Sequence, residues 1–215
     1  MAISFDSVTR GSDTTGPATN TTSHTVGTGN NRILFGACVG NVIAQVDNIT
    51  GMTYNGVAMT LIDKSNGSGD RWQYLYYLLN PDSGAHNFVI SSSGGSSQIL
   101  APTAISYSGV RQELPEARQK TTGTTTSKTE TITVLTNNSW VIGMMHAAAA
   151  VSAGAGTTER SNNIFYDKNA AVSAGAQTIA LTWTGTVGWA YILCAMAPFI
   201  SGGVSAVYLS DYGVM

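Results

Sequence analysis

Turn-forming clusters break this 215-residue chain about every 8–12 residues, and the segments between them alternate apolar and polar side chains. Runs that short cannot hold a helix of useful length, but they suit the strands of a sandwich or barrel. The sharpest local signal is residues 52–59 (MTYNGVAM), where Asn55-Gly56 sits between two strand-like runs. Both residues tolerate positive φ, so a type I′ hairpin is predicted. Residues 32–39 (RILFGACV) are almost wholly apolar, which predicts a strand covered on both faces. Further strands are predicted over 2–8, 21–26, 71–79, 85–91, 99–110, 129–135, 140–146, 157–166, 177–183 and 189–197. Residues 111–128 hold the densest charge and Pro115, and read as a long surface connection. Residues 184–188 read as a hairpin loop joining the last two strands. The expected fold is all-β: an antiparallel two-sheet β-sandwich, jelly-roll-like, forming one domain over 1–200 with a C-terminal extension over 201–215.

Composition agrees. Ser, Thr and Gly make up about a third of the chain, a bias toward strands and turns. Charged residues are 10%, against roughly 25% in ordinary domains. Ten basic and twelve acidic side chains give a net charge of −2. Without a basic stripe to neutralise phosphates, no nucleic-acid partner is expected. No run approaches the roughly 18 apolar residues of a membrane span, so no membrane partner is expected either.

The N-terminus, MAISFDS, lacks the basic and apolar regions of a secretory signal. The low-charge Thr/Ser/Asn/Gly surface nevertheless suits an extracellular or particle-bound protein. A virion protein made in the host cytoplasm resolves that tension, and an extracellular protein whose leader has been removed is the alternative. Cys38 and Cys194 both lie in apolar runs. They read as buried thiols, or as one disulfide if their strands are neighbours.

The tail VSAVYLSDYGVM would expose apolar surface if it were free. Val204, Val207, Tyr208, Leu209, Tyr212 and Val214 are therefore candidate interface residues, docking on the domain or on a neighbouring subunit.

No arrangement of catalytic residues stands out. His24, His86 and His146 are far apart in sequence, and no two have metal-ligand spacing. Glu113, Glu116, Glu130 and Glu159 do not alternate along one strand as a glycosidase pair would. No catalytic residue, cofactor or metal is assigned. A calcium site through Asp63, Asn66 and Asp70 is a weak alternative, because the spacing departs from the calcium-loop pattern. The best ligand-binding candidates are aromatic. Alternation puts Trp72, Tyr74 and Tyr76 on one face of strand 71–79, where planar rings could stack on the C–H surface of a sugar. Core packing or a subunit contact is the competing reading of that face.

Three motifs carry a resemblance: YNGVAMT at 54–60, LYYLLNPDSGAH at 75–86 and AISYSGV at 104–110. Their order is similar to a β-sandwich module of phage structural proteins and bacterial surface proteins. In that module a Tyr-x-Gly-x-x-Met/Leu hairpin precedes a Leu-Tyr-Tyr-Leu-x-Asn-Pro-x-x-Gly strand and turn, and then a Ser-Tyr-x-Gly-Val strand end. The resemblance spans about residues 20–200. Its motifs are core and turn residues, so it implies a structural or adhesive role and transfers no catalytic residue. The implied partners are other copies of the chain, other virion proteins and, for an adhesion module, a host-surface glycan. The role expected is thus a non-enzymatic capsid decoration, head-fibre or tail-associated protein.

Overall fold

The computed structural model describes residues 1–16, 18–40, 46–67, 71–93, 98–113 and 115–200. The interface candidates Val204, Val207, Tyr208, Leu209, Tyr212 and Val214, and the possible calcium ligand Asp70, lie outside the described residues. Among the described residues there is no helix. The strands are β1 (Ser4–Arg10), β2 (Thr14–Thr15), β3 (Thr19–Val26), β4 (Ile33–Gly40), β5 (Ile49–Tyr54), β6 (Val57–Ala58), β7 (Thr60–Asn66) and β8 (Trp72–Leu79), followed by β9 (Gly84–Ser92), β10 (Gln98–Ser108), β11 (Ala117–Val134), β12 (Trp140–Ala147), β13 (Val151–Ala153), β14 (Thr158–Ser161), β15 (Phe165–Asp167) and β16 (Gly175–Met196).

These strands form three antiparallel sheets. The middle sheet runs β1-β10-β4-β8-β7, with β2 beside β10. A four-stranded sheet, β3-β9-β5-β6, covers one of its faces, and β11-β16-β12-β15-β14, with β13 on β16, covers the other. The expected all-β, sandwich-like architecture is present, with three sheets in the stack instead of two. The reason is visible in β4. Leu34 and Cys38 pack toward Met52, Tyr54, Phe88 and Ile90 of the four-stranded sheet. Ile33, Phe35, Ala37 and Val39 pack toward Ile142, Met144, Phe165 and Ile192 on the other side. A strand apolar on both faces needs a layer on each, and one further sheet can cover only one of them. Gly36 keeps the first layer close, since a Cβ there would sit 2.7 Å from the Phe88 ring.

The Asn55-Gly56 hairpin forms as predicted. Both residues have positive φ, 48° and 76°, and Tyr54 pairs with Val57 across them. Cys38 and Cys194 are free and buried in different cores, on opposite sides of the middle sheet, so they do not pair. Burial pushes both thiols well up from their ordinary range, which keeps them protonated and unreactive.

Two expectations are overturned. Most of the predicted connection at 111–128 belongs to β11, an 18-residue strand, and 184–188 lies inside the 22-residue β16. The two strands pair on both sides of a register jump between Thr125 and Ser127, where residues 183–186 of β16 have no partner on β11. Past that jump the β11–β16 pair turns over the third sheet. Ile132, Val134, Ile179 and Leu181 then pack on Val141, Met145 and Leu193 as a third core.

Candidate functional site

Trp72, Tyr74 and Tyr76 do share a face of β8, but that face is core. Tyr74 and Tyr76 are 0% and 7% exposed, packed under the four-stranded sheet. Leu75 and Tyr77 on the opposite face are equally buried, against the third sheet. A sugar therefore cannot stack on Tyr74 or Tyr76, and the predicted aromatic platform is corrected to a packing element. Trp72 is half-buried. It stacks on Tyr74 at 6.3 Å, with the Lys64 ammonium 5.6 Å from its ring centre. The Tyr74 hydroxyl donates to Asp47 Oδ1 at 3.0 Å and accepts the Asn48 backbone N–H at 3.1 Å. Of the calcium candidates, Asp63 is occupied by an ion pair, its Oδ1 accepting Lys120 Nζ at 2.7 Å.

The three histidines occupy separate sites. His86 is on the surface, with Nε2 3.1 Å from the Ser83 carbonyl. His24 is 1% exposed, in a cluster of hydroxyls between β1, β3 and β10. Ser7 Oγ donates to the Thr25 carbonyl at 2.5 Å, and Ser106 Oγ donates to Asp6 Oδ2 at 2.6 Å. Each hydroxyl has one proton, so the histidine must supply the bonds from Nε2 to Ser106 (3.3 Å) and Ser7 (3.4 Å). Nδ1 then accepts from Thr9 Oγ1 at 3.0 Å. With Nε2 as the donor, the ring cannot take a proton from either serine, so the cluster is not a nucleophile–base pair. Burial lowers the His24 pKa to about 4, against a smaller upward pull from Asp6.

His146 belongs to a polar pocket, about 170 Å³ in volume, where the middle and third sheets meet near the start of β8. Arg10, Asp13, Arg71, His146, Asn162 and Asn163 line it. Arg71 Nη1 donates to His146 Nε2 at 3.0 Å; because a guanidinium has no acceptor, this His146 is the Nδ1–H tautomer. Asp13 Oδ1 accepts from Arg10 Nη2 at 3.0 Å and from the Ala101 N–H at 2.6 Å. Ala101 holds φ at +49° immediately before Pro102, a strained conformation for an L residue. The pocket mixes donors and acceptors of both charges, which suits a hydroxyl-rich ligand better than a simple ion. Sequence reasoning missed it because its lining residues come from six separate segments.

Two other surfaces stand out. A groove of about 390 Å³ is lined by Leu61, Ile62 and Tyr77 of the middle sheet and by residues 115–118 leading into β11. The second surface is the outer part of β11, an edge strand of the third sheet. Lys128 and Glu130 turn inward there, 3.1 Å apart, with Lys128 over the Trp189 ring. Thr129, Thr131 and Thr133 point outward, exposed and uncharged.

The chain matches no family model, no curated protein and no solved structure.

Proposed function

We propose that this chain is a non-enzymatic structural component of a virus particle, a capsid decoration, head-fibre or tail-associated protein that acts through protein–protein contacts. Its partners are other copies of itself and other virion proteins, and its location is the virion. The observation that carries this reading is the outer edge of β11, which pairs with no strand among the described residues. An unpaired edge templates another strand unless it is short, charged or covered. The outer half of β11 is long, its outward positions are threonines, and its two charges, Lys128 and Glu130, face inward and pair with each other. The order of the three sandwich motifs, at 54–60, 75–86 and 104–110, supports the same reading by resemblance to phage structural modules.

The test is light scattering across a concentration series, with and without particles. The natural chain should associate, and Thr129→Lys with Thr131→Lys should return it to the monomer, since lysine blunts an edge. A stable monomer that binds no particle overturns the proposal.

The alternative is a carbohydrate- or receptor-binding adhesion module. The polar pocket around Arg10, Asp13 and Asn162 favours it over the buried aromatic face. A glycan signal lost in Asn162→Ala, from a chain that stays monomeric, selects this reading.

A further inference from the structure

The outer half of β11 carries a pattern that fixes how a second strand lies against it. Its outer face reads Ser127, Thr129, Thr131 and Thr133, all exposed. Its inner face reads Lys128, Glu130, Ile132 and Val134. Lys128 Nζ lies 3.1 Å from Glu130 Oε2, with the two side chains 30% and 8% exposed. Thr129 already pairs with Ala180 of β16 and Thr131 with Thr178, so a new strand comes to the opposite side of β11. Charges this dry are costly to set against apolar groups or against their own sign.

We propose that two copies of the chain pair through these edges about a two-fold axis at Thr129. The assignment rests on the edge-contact reading of β11 and specifies the register with a second copy. A closed two-fold contact between edge strands runs them antiparallel and keeps both outer faces on one side of a continuous sheet. Directly opposite residues then share a face, and their main-chain groups match only where the axis passes through a residue. The candidate axes differ in what they do to the charges. An axis at Lys128 sets that lysine against its own copy, and one at Glu130 does the same to the glutamate. An axis at Thr131 sets Glu130 against Ile132 and Lys128 against Val134. An axis at Ser127 carries the pairing into the corner at Thr125. An axis at Thr129 sets Lys128 of each copy against Glu130 of the other, and Ser127 against Thr131. The charges then alternate in sign around the axis, and the ladder covers Ser127 to Thr131 of each copy, clear of the corner. Charge matching of this kind fixes register and partner more than it adds affinity.

The test uses the full chain. Lys128→Glu sets acid against acid, and Glu130→Lys sets base against base, so each variant alone should associate about tenfold more weakly than the natural chain. Mixed in equal amounts, the two should restore the dimer by light scattering, because each then faces its complement. No recovery on mixing overturns the charge-matched register. Cysteine cross-linking reads the same register without touching the inner face, so it decides the matter even where a charge variant fails to fold. Thr129→Cys stands on the axis, with its Cα about 4.5–5.5 Å from that of its copy, within reach of a disulfide. Thr131→Cys lies four residues along the strand from its copy, about 13 Å, beyond that reach. Oxidation should therefore dimerise Thr129→Cys and leave Thr131→Cys uncoupled, since Cys38 and Cys194 are buried. Stronger cross-linking of Thr131→Cys than of Thr129→Cys overturns the register and keeps the edge contact. If neither variant cross-links while the natural chain associates, the contact lies elsewhere and the assignment falls. A natural chain that stays monomeric overturns both the register and the reading it rests on.

Discussion

Trp183 and Trp189 lie 6.2 Å apart, their rings tilted by 55°, and both indoles are tied to Thr125. Trp183 Nε1 donates to the Thr125 carbonyl at 2.8 Å, and Trp189 Nε1 donates to its hydroxyl at 2.9 Å. Thr125 stands at the register jump of the β11–β16 pair, so the two rings clamp the corner where these strands turn over the third sheet. Trp189→Ala should therefore cost about 3–5 kcal/mol, the range for emptying a large aromatic site. Thr129→Ala, on the exposed face, should stay within about 0.5 kcal/mol. Urea unfolding midpoints compare them. Equal small effects would mean that the corner is not built on these rings.

The long β11–β16 pair was the part of the fold least legible in the sequence, and its residues explain why. Strand prediction looks for apolar alternation, but the first half of β11 faces its neighbours with Thr121 and Gly123. Gly123 leaves room for Trp189, whose ring would lie 2.7 Å from a Cβ there. The apolar surface in that stretch comes from the partner strand. By contrast, Asn55-Gly56 specifies its own turn, and 33–39 declares its double burial residue by residue. The Trp72 face marks the boundary between the two cases. Alternation groups Trp72, Tyr74 and Tyr76 correctly, yet it cannot count the layers above them. The groove at Leu61 and Glu116 and the pocket at Arg71 and His146 join segments remote in sequence, so no spacing announces them.

His24 makes stability depend on acid. Its folded pKa of about 4 lies below the ordinary 6.5, so the folded state favours the neutral ring. That contribution is complete above pH 6.5 and falls as the pH drops toward 4, because only the unfolded chain takes up the proton. The loss across the window should approach about 3 kcal/mol. The difference between the natural chain and His24→Gln isolates the histidine. Parallel stability curves for the two from pH 7 to 4 would refute it.

Ala101 predicts a stabilising change. A left-handed conformation costs an L residue about 1–2 kcal/mol, and the following Pro102 removes freedom to relax. Ala101→Gly relieves that strain, while the added freedom of the unfolded chain takes back about 0.4–1 kcal/mol. The net gain should be about 0.5–1 kcal/mol, read as a raised urea midpoint with unchanged slope. A lowered midpoint would show that the Ala101 methyl, in a residue 6% exposed, packs more favourably than its backbone is strained.

Asp167 is the centre of a buried ion pair whose disruption should be costly. It is fully buried, and Oδ2 accepts from Arg160 Nε at 2.7 Å and from the Tyr107 hydroxyl at 2.8 Å. Oδ1 takes the Asn169 N–H at 2.8 Å. The Arg160 guanidinium also lies 4.2 Å from the centre of the Phe5 ring, so it links β14 to β1 across the sheets. Arg160→Met keeps much of the side-chain volume but leaves a buried carboxylate without its counter-charge, which should cost about 3–5 kcal/mol. Tyr107→Phe removes only one bond to that carboxylate and should cost about 1.5–3 kcal/mol. Replacing both partners at once, Arg160→Met with Asp167→Leu, should recover part of the first loss, because no unpaired charge remains inside. A double variant less stable than Arg160→Met would mean that the aspartate's bonds to Tyr107 and Asn169 outweigh its pairing with the arginine.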